Sequence, residues 1–162
     1  MCIRDRINLI AACDSNNLIG KNGKLPWKIE KDWHYFLQTT KDGVLIMGRK
    51  CFEDFQNYAK SRSVIVLSRN KKASFTHAMK ANSLQEALKI AERMNKIIWI
   101  CGGRKVYEEA MPIAEHLYLT EIESVFEGDV FFPDWKKFFV KEISCTEEEE
   151  NGIALRFRVL GK

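Results

Sequence analysis

Short apolar runs alternate with segments of amphipathic spacing along most of this chain. Unbroken apolar runs predict buried strands, and apolar residues that recur every three or four positions predict helices. The predicted strands cover residues 7–13, 44–47, 63–67, 75–79, 97–101, 116–122, 138–145 and 154–160. The predicted helices cover residues 28 to about 40, 50–58, 83–94 and 104–111. This alternation indicates an α/β fold with a mixed, mostly parallel sheet, flanked by helices and ending in an antiparallel C-terminal edge.

The segments between these elements carry weaker signals. Residues 14–24 contain Asn-Asn, Ile-Gly and Asn-Gly pairs and are predicted to form a turn-rich loop. The acidic run at 147–150 is expected to be a solvated loop at the tip of a hairpin made by the last two strands. Residues 1–6 show no pattern and are expected to be a disordered or adventitious extension. Residues 7–162 are therefore predicted to form a single domain.

Composition excludes several functional classes. The chain has 162 residues, of which 46% are hydrophobic and 30% are charged, and its net charge is +4. Its apolar runs are too short to cross a bilayer, and no secretory signal is expected. Lysine and arginine are scattered among acidic residues, whereas a nucleic-acid binder concentrates them in a stripe. We expect a cytoplasmic protein that binds neither nucleic acid nor membrane, and a monomer by default.

The cysteines indicate reduced thiols. They number five, at positions 2, 13, 51, 101 and 145, and none forms a Cys-x-x-Cys pair. An odd number without that spacing favours neither a disulfide framework nor a zinc site. No metal site is predicted.

One carboxylate falls on the apolar face of a predicted helix. Ile29, Trp33 and Phe36 mark that face, and helical spacing places Asp32 among them. A carboxylate that faces a core is unfavourable unless it is paired or protonated, which makes Asp32 a candidate for chemistry. The alternative is that Asp32, in the first helical turn, complements the helix dipole at the edge of the core. The pattern alone leaves both interpretations open.

Three predicted strands are each followed by small or basic residues. These are Gly48, Arg49 and Lys50 after the first of them, Ser68 and Arg69 after the second, and Gly102, Gly103, Arg104 and Lys105 after the third. The carboxyl ends of parallel strands share one edge of the sheet, where glycines and cations favour a phosphate. No acidic residue ends these strands to bind a ribose 2′-hydroxyl. A 2′-phosphate suits the site better, which favours NADPH over NADH.

A series of motifs, in order along the chain, resembles the dihydrofolate reductase family, in its bacterial single-domain form. The motifs are residues 7–20, Leu25-Pro26-Trp27 with Asp32 and Phe36, residues 46–49, Gly102-Gly103 with Tyr107, residues 117–120, and residues 126–133. The resemblance implies an eight-stranded, mostly parallel sheet. It also implies NADPH-dependent reduction of 7,8-dihydrofolate to tetrahydrofolate, with hydride transfer to C6 and protonation of N5, in support of one-carbon and thymidylate metabolism.

The resemblance assigns roles around the substrate. Asp32 matches the acidic residue that binds the pterin and promotes protonation of N5, and Thr120 matches its hydrogen-bonded neighbour. Trp27 matches a tryptophan that orders water, and Arg62 matches the arginine that binds the α-carboxylate of the glutamate tail. The remaining substrate-binding residues by resemblance are Ile10, Ala11, Leu25, Phe36, Phe55 and Asn57.

The resemblance also assigns an NADPH site. The nicotinamide contacts are Ala12, Ile19 and Gly20, and the adenosine phosphate contacts are Arg49, Lys50, Ser68 and Arg69. The pyrophosphate turn, with a cis Gly102–Gly103 peptide, and the residues beside it comprise Gly48, Cys51, Leu67, Cys101, Gly102, Gly103, Arg104, Lys105, Val106 and Tyr107.

Four positions depart from the family pattern. Cys51 replaces a usual threonine, and Cys101 replaces an aliphatic residue. Residues 56–61 lack a Pro/Gly-rich loop, and Asn57 stands where a basic residue is frequent. Val130 replaces a frequent threonine after Asp129, in a loop expected to contact residues 14–24.

Two other functions compete with this interpretation. One is the related reductase of riboflavin biosynthesis, which uses NADPH to reduce a ribosylamino-pyrimidine. A pterin substrate is favoured instead by the Leu-Pro-Trp segment together with Asp32, Arg62 and Thr120. The other is a non-catalytic nucleotide-binding module, which would keep the phosphate crevice but has no need of Asp32 on an apolar face.

Overall fold

The computed structural model describes residues 6–162, in which eight strands form one sheet. The strands of the chain are β1 (Ile7–Cys13), β2 (Leu18–Gly20), β3 (Val44–Gly48), β4 (Ser63–Leu67), β5 (Met79–Ala81), β6 (Ile98–Ile100), β7 (His116–Ile122), β8 (Val130–Phe131), β9 (Lys141–Glu150) and β10 (Ile153–Gly161). The helices are α1 (Glu30–Thr39), α2 (Arg49–Phe55), α3 (Leu84–Glu92) and α4 (Arg104–Ala110), with a 3₁₀ segment at Gln56–Ser61.

The sheet has the predicted mixed topology. Its strand order is β5-β4-β3-β6-β1-β7-β10-β9, and β2 and β8 form a separate two-stranded ladder. Neighbouring strands from β5 to β7 are parallel, whereas β10 runs antiparallel to both β7 and β9. The mostly parallel sheet with an antiparallel C-terminal edge is thereby confirmed.

Continuous apolar runs place the central strands in the core. Successive side chains point to opposite faces, and in β3 Val44, Leu45, Ile46 and Met47 are all at most 1% exposed. Val44 and Ile46 on one face of the sheet pack with residues of α3 and α4. Leu45 and Met47 on the other face pack with residues of α1 and α2. Burial on both faces explains why these strands lack the polar alternation of a solvated sheet.

Several element boundaries differ from the predictions. The helix predicted from residue 28 begins at Glu30, and the helix predicted over 50–58 ends at Phe55 and continues as the 3₁₀ segment. The strand predicted at 75–79 lies instead at Met79–Ala81, and the loop predicted at 14–24 contains β2. Short irregular segments carry too few apolar positions to set such boundaries.

The acidic run at 147–150 forms part of a strand, so the prediction of a loop is wrong. It belongs to β9 and pairs with β10, and the turn that follows is Asn151-Gly152, with φ angles of 51° and 81°. Asn-Gly is the preferred pair for a tight hairpin turn because both residues adopt positive φ. The strand tolerates this acidic run because β9 lies at the edge of the sheet, where residues 147–149 are exposed to solvent.

The N-terminal boundary extends by one residue into the expected extension. Arg6 is 9% exposed and donates a hydrogen bond of 2.8 Å to Asn95 Oδ1. Residues 1–5, the rest of that expected extension, lie outside the described residues. Across residues 6–162, no helix has the length and hydrophobicity that a membrane crossing requires.

The parallel strands bring three chain segments to one edge of the sheet. Gly48 at the end of β3 pairs with Leu67 at the end of β4. The Gly48 amide also donates a hydrogen bond of 2.9 Å to the carbonyl oxygen of Gly102, which follows β6. The ends of these three strands therefore meet at one edge of the sheet, as predicted.

Candidate active site

A cavity of about 550 Å³ opens at this edge of the sheet, between α1, α2, α4 and the β2 loop. Most of the predicted site residues line it: Ile10, Ala11, Ala12, Ile19, Gly20, Leu25, Asp32, Phe36, Gly48, Arg49, Lys50, Cys51, Phe55, Cys101, Gly102, Gly103, Arg104, Lys105, Val106, Tyr107 and Thr120. Six predicted residues do not line it: Trp27, Asn57, Arg62, Leu67, Ser68 and Arg69.

The cavity also contains residues that sequence reasoning missed. These are Gly23, Lys24, Trp33, Tyr35, Met47, Asp54 and Val130. Helical spacing contained a signal for one of them, because Asp54 lies four residues after Lys50 and three after Cys51, on the same side of α2. Val130 pairs with Gly20 across the β2–β8 ladder, so its contact with the loop at 14–24 is direct.

Asp32 is the buried side chain of α1. It is 7% exposed, whereas Trp33, Phe36 and Leu37 on the same helix are half-buried. Burial raises the pKa of Asp32 from its ordinary value of 3.8 to about 6. The nearby side-chain donors of Thr120 and Trp27 lower this pKa, and the carboxylate of Glu150 raises it. Asp32 therefore changes its protonation state near pH 6.

Thr120 and Trp27 approach Asp32 from outside its own helix. Thr120 lies on β7, is 2% exposed and lines the cavity. Trp27 precedes α1, packs against Phe126 at a ring separation of 5.4 Å, and is 8% exposed. Its indole nitrogen is buried and makes no direct hydrogen bond within the described residues. A buried donor of this kind beside a carboxylate is the arrangement that a bridging water satisfies.

The buried Asp32 carboxylate predicts an unusual pH dependence of stability. Because its pKa is about 6 in the folded protein and 3.8 ordinarily, the folded state binds the proton more tightly between these pH values. The free energy of unfolding therefore falls by about 3 kcal/mol as pH rises through this window. The unliganded Asp32→Asn variant lacks this loss and is expected to be more stable than the wild type at pH 7, but not below pH 4. Urea unfolding at both pH values measures the difference, and equal stabilities at pH 7 would contradict the shift.

Arg62 is held at the C-terminal end of α1. Its guanidinium donates hydrogen bonds of 2.9 Å to Thr40 Oγ1 and 2.8 Å to the carbonyl oxygen of Leu37. Arg62 lines a second depression together with Lys41, Asp42, Lys60 and Lys96. The arginine is therefore fixed at the end of α1, one helical turn beyond Phe36, among three lysines and one carboxylate, that of Asp42.

The opposite wall is built from backbone. The Gly102–Gly103 peptide is cis, as the resemblance implied, and Gly102 has a φ of 117°. A Cβ at Gly102 would lie 3.1 Å from Cys51 Sγ and 3.3 Å from the Tyr107 ring, whereas a Cβ at Gly103 would meet nothing within 4 Å. Gly103 therefore leaves open space at the start of α4, next to the cationic residues Arg104 and Lys105.

The two cysteines of the cavity are neutral thiols. Burial raises the pKa of Cys51 to about 11, with a further contribution from Asp54, and burial raises the pKa of Cys101 well above its ordinary value. The Cys101 thiol contacts the carbonyl oxygen of Trp99 at 3.4 Å. These thiols act as small, weakly polar wall groups rather than nucleophiles.

Tyr107 connects the cavity wall to the central strand. Its hydroxyl donates a 2.7 Å hydrogen bond to the carbonyl oxygen of Ile10, and burial raises its pKa well above the ordinary value. The tyrosine therefore remains a neutral donor, and it fixes α4 against β1 where both line the cavity.

Comparison with known proteins identifies the family to which this fold and site belong. A family model described as dihydrofolate reductase matches residues 6–162. The chain belongs to the dihydrofolate reductase family.

Several bacterial members of this family are similar to the chain. The chain is 37% identical over 159 residues to the dihydrofolate reductase of Staphylococcus haemolyticus, covering 95% of this chain and 94% of that protein. It is 35% identical to the dihydrofolate reductase of Buchnera aphidicola, covering 96% and 98%. A solved structure of the Enterococcus faecalis dihydrofolate reductase, in complex with NADP(H) and RAB-propyl, superposes with a TM-score of 0.86 at 28% identity and covers 96% of this chain and 95% of that one.

Proposed function

We propose that the cavity binds 7,8-dihydrofolate against Asp32 and NADPH along the wall formed by Gly48, Gly102 and Gly103. As a member of the dihydrofolate reductase family, the chain is an NADPH-dependent oxidoreductase that reduces dihydrofolate to tetrahydrofolate. The observation that carries the assignment of the substrate site is a single one. Asp32 is a nearly fully buried carboxylate that lines an open cavity, and among the described residues the groups that lower its pKa are the neutral donors Thr120 and Trp27 and not a cation.

The residues present fit NADPH. Gly48, Gly102 and Gly103 present backbone rather than side chains, and the open space at Gly103 lies beside Arg104 and Lys105. Backbone N–H groups and cationic side chains are the groups that bind diphosphates. When bound, NADPH supplies the hydride for the reaction.

The adenosine phosphate end of the site lies at the paired ends of β3 and β4. Arg49 and Lys50 line the cavity, whereas Ser68 and Arg69 follow the neighbouring strand just outside it. Arg49 also forms a 2.6 Å ion pair with Glu53. Because both side chains are about half exposed, this pair is worth little and leaves the guanidinium free to bind a phosphate.

We expect Arg69→Gln to weaken selection for the 2′-phosphate. Loss of one charge-assisted contact should raise the KM for NADPH about tenfold and leave the KM for NADH unchanged. Steady-state kinetics with both cofactors measures this, and Lys71→Gln, which removes an exposed positive charge from the same loop, is the control. An equal rise in the KM for NADH would show that Arg69 does not contact the 2′-phosphate.

The chain's own groups prepare the pterin for reduction. We infer that Asp32 accepts hydrogen bonds from the amino and ring nitrogens of the pterin and so raises the basicity of N5. Asp32 is not a nucleophile, because no covalent step is needed for hydride transfer to C6. Thr120 and a water held by Trp27 complete the hydrogen bonds around the carboxylate. The apolar cavity walls, which include Ile10 and Phe55, exclude bulk water from the reacting rings.

A turnover assay separates this function from its two rivals. The protein is mixed with NADPH and 7,8-dihydrofolate, and separately with NADPH and a ribosylamino-pyrimidine, and the nicotinamide absorbance is followed. We expect its loss with dihydrofolate only. Loss with the pyrimidine alone would favour the riboflavin-type reductase, and tight NADPH binding without turnover would favour a nucleotide-binding module.

We further propose that the protein works as a cytoplasmic monomer and does not bind nucleic acid. The scattered distribution of its charges and the free thiols of the four described cysteines support this. Light scattering after gel filtration is expected to give the monomer mass of 18.8 kDa.

A further inference from the structure

The helix that carries Asp32 has no N-terminal cap of its own. The residue before α1 is Ile29, whose side chain offers no acceptor, and no local side chain caps the helix. The first amides of a helix have no partner within it, so an uncapped start is unfavourable.

Glu150 supplies the missing cap from the far end of the chain. Its Oε2 accepts a 2.9 Å hydrogen bond from the Glu30 amide, and its Oε1 accepts a 2.8 Å hydrogen bond from the Lys31 amide. Both carboxylate oxygens are therefore used on the first two residues of α1. Unlike the other residues of β9, Glu150 is half-buried rather than exposed.

A second contact joins the same two elements. Lys31 Nζ lies 3.4 Å from Glu148 Oε2, one strand repeat before Glu150 on the same side of β9. The tight turn at Asn151-Gly152 then places the strand end that carries Glu150 beside β10, which pairs with β7. The tip of the β9–β10 hairpin is thus attached both to the sheet and to the first turn of α1.

We propose that Glu150 is a positioning residue for the reductase reaction, which holds the first turn of α1 and thereby places the Asp32 carboxylate against the pterin. Asp32 is the third residue of α1 and directly follows the two amides that Glu150 binds. This inference rests on the proposed role of Asp32 and extends it to a residue that does not line the cavity.

The negative charge of Glu150 also affects the pKa of Asp32. The ionisable groups that interact electrostatically with Asp32 are Cys13 on β1, Tyr35 on α1, Tyr107 on α4 and Glu150 at the hairpin tip. Burial raises the pKa of the thiol and of both phenols, so these three are neutral near pH 7. Lys31 is paired with Glu148. Glu150 is then the acidic group whose negative charge raises the pKa of Asp32.

The test compares Glu150→Gln and Glu150→Ala with Glu149→Gln. The control removes the same charge from the adjacent exposed position of β9. For Glu150→Gln we expect kcat/KM for dihydrofolate at pH 7 to fall about threefold to tenfold, with an unchanged KM for NADPH. Loss of the negative charge lowers the pKa of Asp32, so the loss of activity on the acid side, where Asp32 becomes protonated, should begin at lower pH than in the wild type.

Glu150→Ala removes both cap bonds and is expected to lose more activity than Glu150→Gln. Its amides at residues 30–32 should also exchange hydrogen faster, and this readout does not depend on turnover. Identical pH profiles and exchange rates in the Glu150 variants and Glu149→Gln would overturn the proposal. If instead the wild type fails to reduce dihydrofolate, or Asp32→Asn retains full activity, the proposed function fails, whatever the Glu150 variants show.

Discussion

Asp32→Asn is expected to lose nearly all dihydrofolate reduction at pH 7. The amide keeps the shape of the side chain but removes the negative charge that pairs with the pterin and raises the basicity of N5. Positioned acid–base groups contribute about 10² to 10⁴ in rate, so the loss in kcat/KM should fall in that range. Activity should partly recover towards pH 5, where more of the substrate is already protonated in solution.

Two features make this experiment decisive. The unliganded variant is expected to be more stable than the wild type at pH 7, so unfolding would not account for its inactivity. Glu30→Gln removes a carboxylate from the same helical turn, where the side chain is exposed, and should keep normal activity. Full activity of Asp32→Asn at pH 7 would refute the role of Asp32.

Arg62→Gln is expected to raise the KM for dihydrofolate about 10²-fold with little change in kcat. A bidentate pair of a guanidinium and a carboxylate contributes more than a neutral hydrogen bond, and tail binding does not alter the reacting ring. Arg62→Lys keeps the charge but not the planar fork, so its KM should rise less. Steady-state kinetics on the three proteins measures both effects.

A second substrate distinguishes tail binding from a structural role of Arg62. The guanidinium also contacts Thr40 and the carbonyl oxygen of Leu37, so its loss alters the end of α1 as well. A dihydropterin without the glutamyl group cannot use Arg62 for its tail. We expect its kinetics to be the same in wild type and Arg62→Gln. An equal loss with both substrates would show that Arg62 acts by holding α1.

The fold was largely predictable because the central strands are buried on both faces. Such strands are continuous apolar runs, as in Val44–Gly48, and their alternation with helices specifies a parallel arrangement. The C-terminal hairpin shows where this reasoning fails. The acidic run suggested a loop, whereas the local signal for the turn was Asn151-Gly152, and an exposed edge strand tolerates glutamates.

The candidate site was predictable as far as its residues follow a local rule. Helical spacing put Asp32 on an apolar face, and the strand ends put Gly48 and Gly102 at one edge of the sheet. Glu150 follows no local rule, because it reaches α1 across 120 positions of sequence. The helix was predicted to begin at residue 28, so the sequence did not reveal that Ile29 occupies the N-cap position or that a distant acceptor is needed.

The most direct test of the account follows the hydride itself. The protein is incubated with 7,8-dihydrofolate and NADPH carrying deuterium at both hydrogen positions of the nicotinamide C4, and the product is examined by mass spectrometry and NMR. The account predicts tetrahydrofolate with one deuterium at C6 and a solvent-derived proton at N5. Oxidation of NADPH with no deuterium at C6 of the pterin, or no reaction at all, would contradict it.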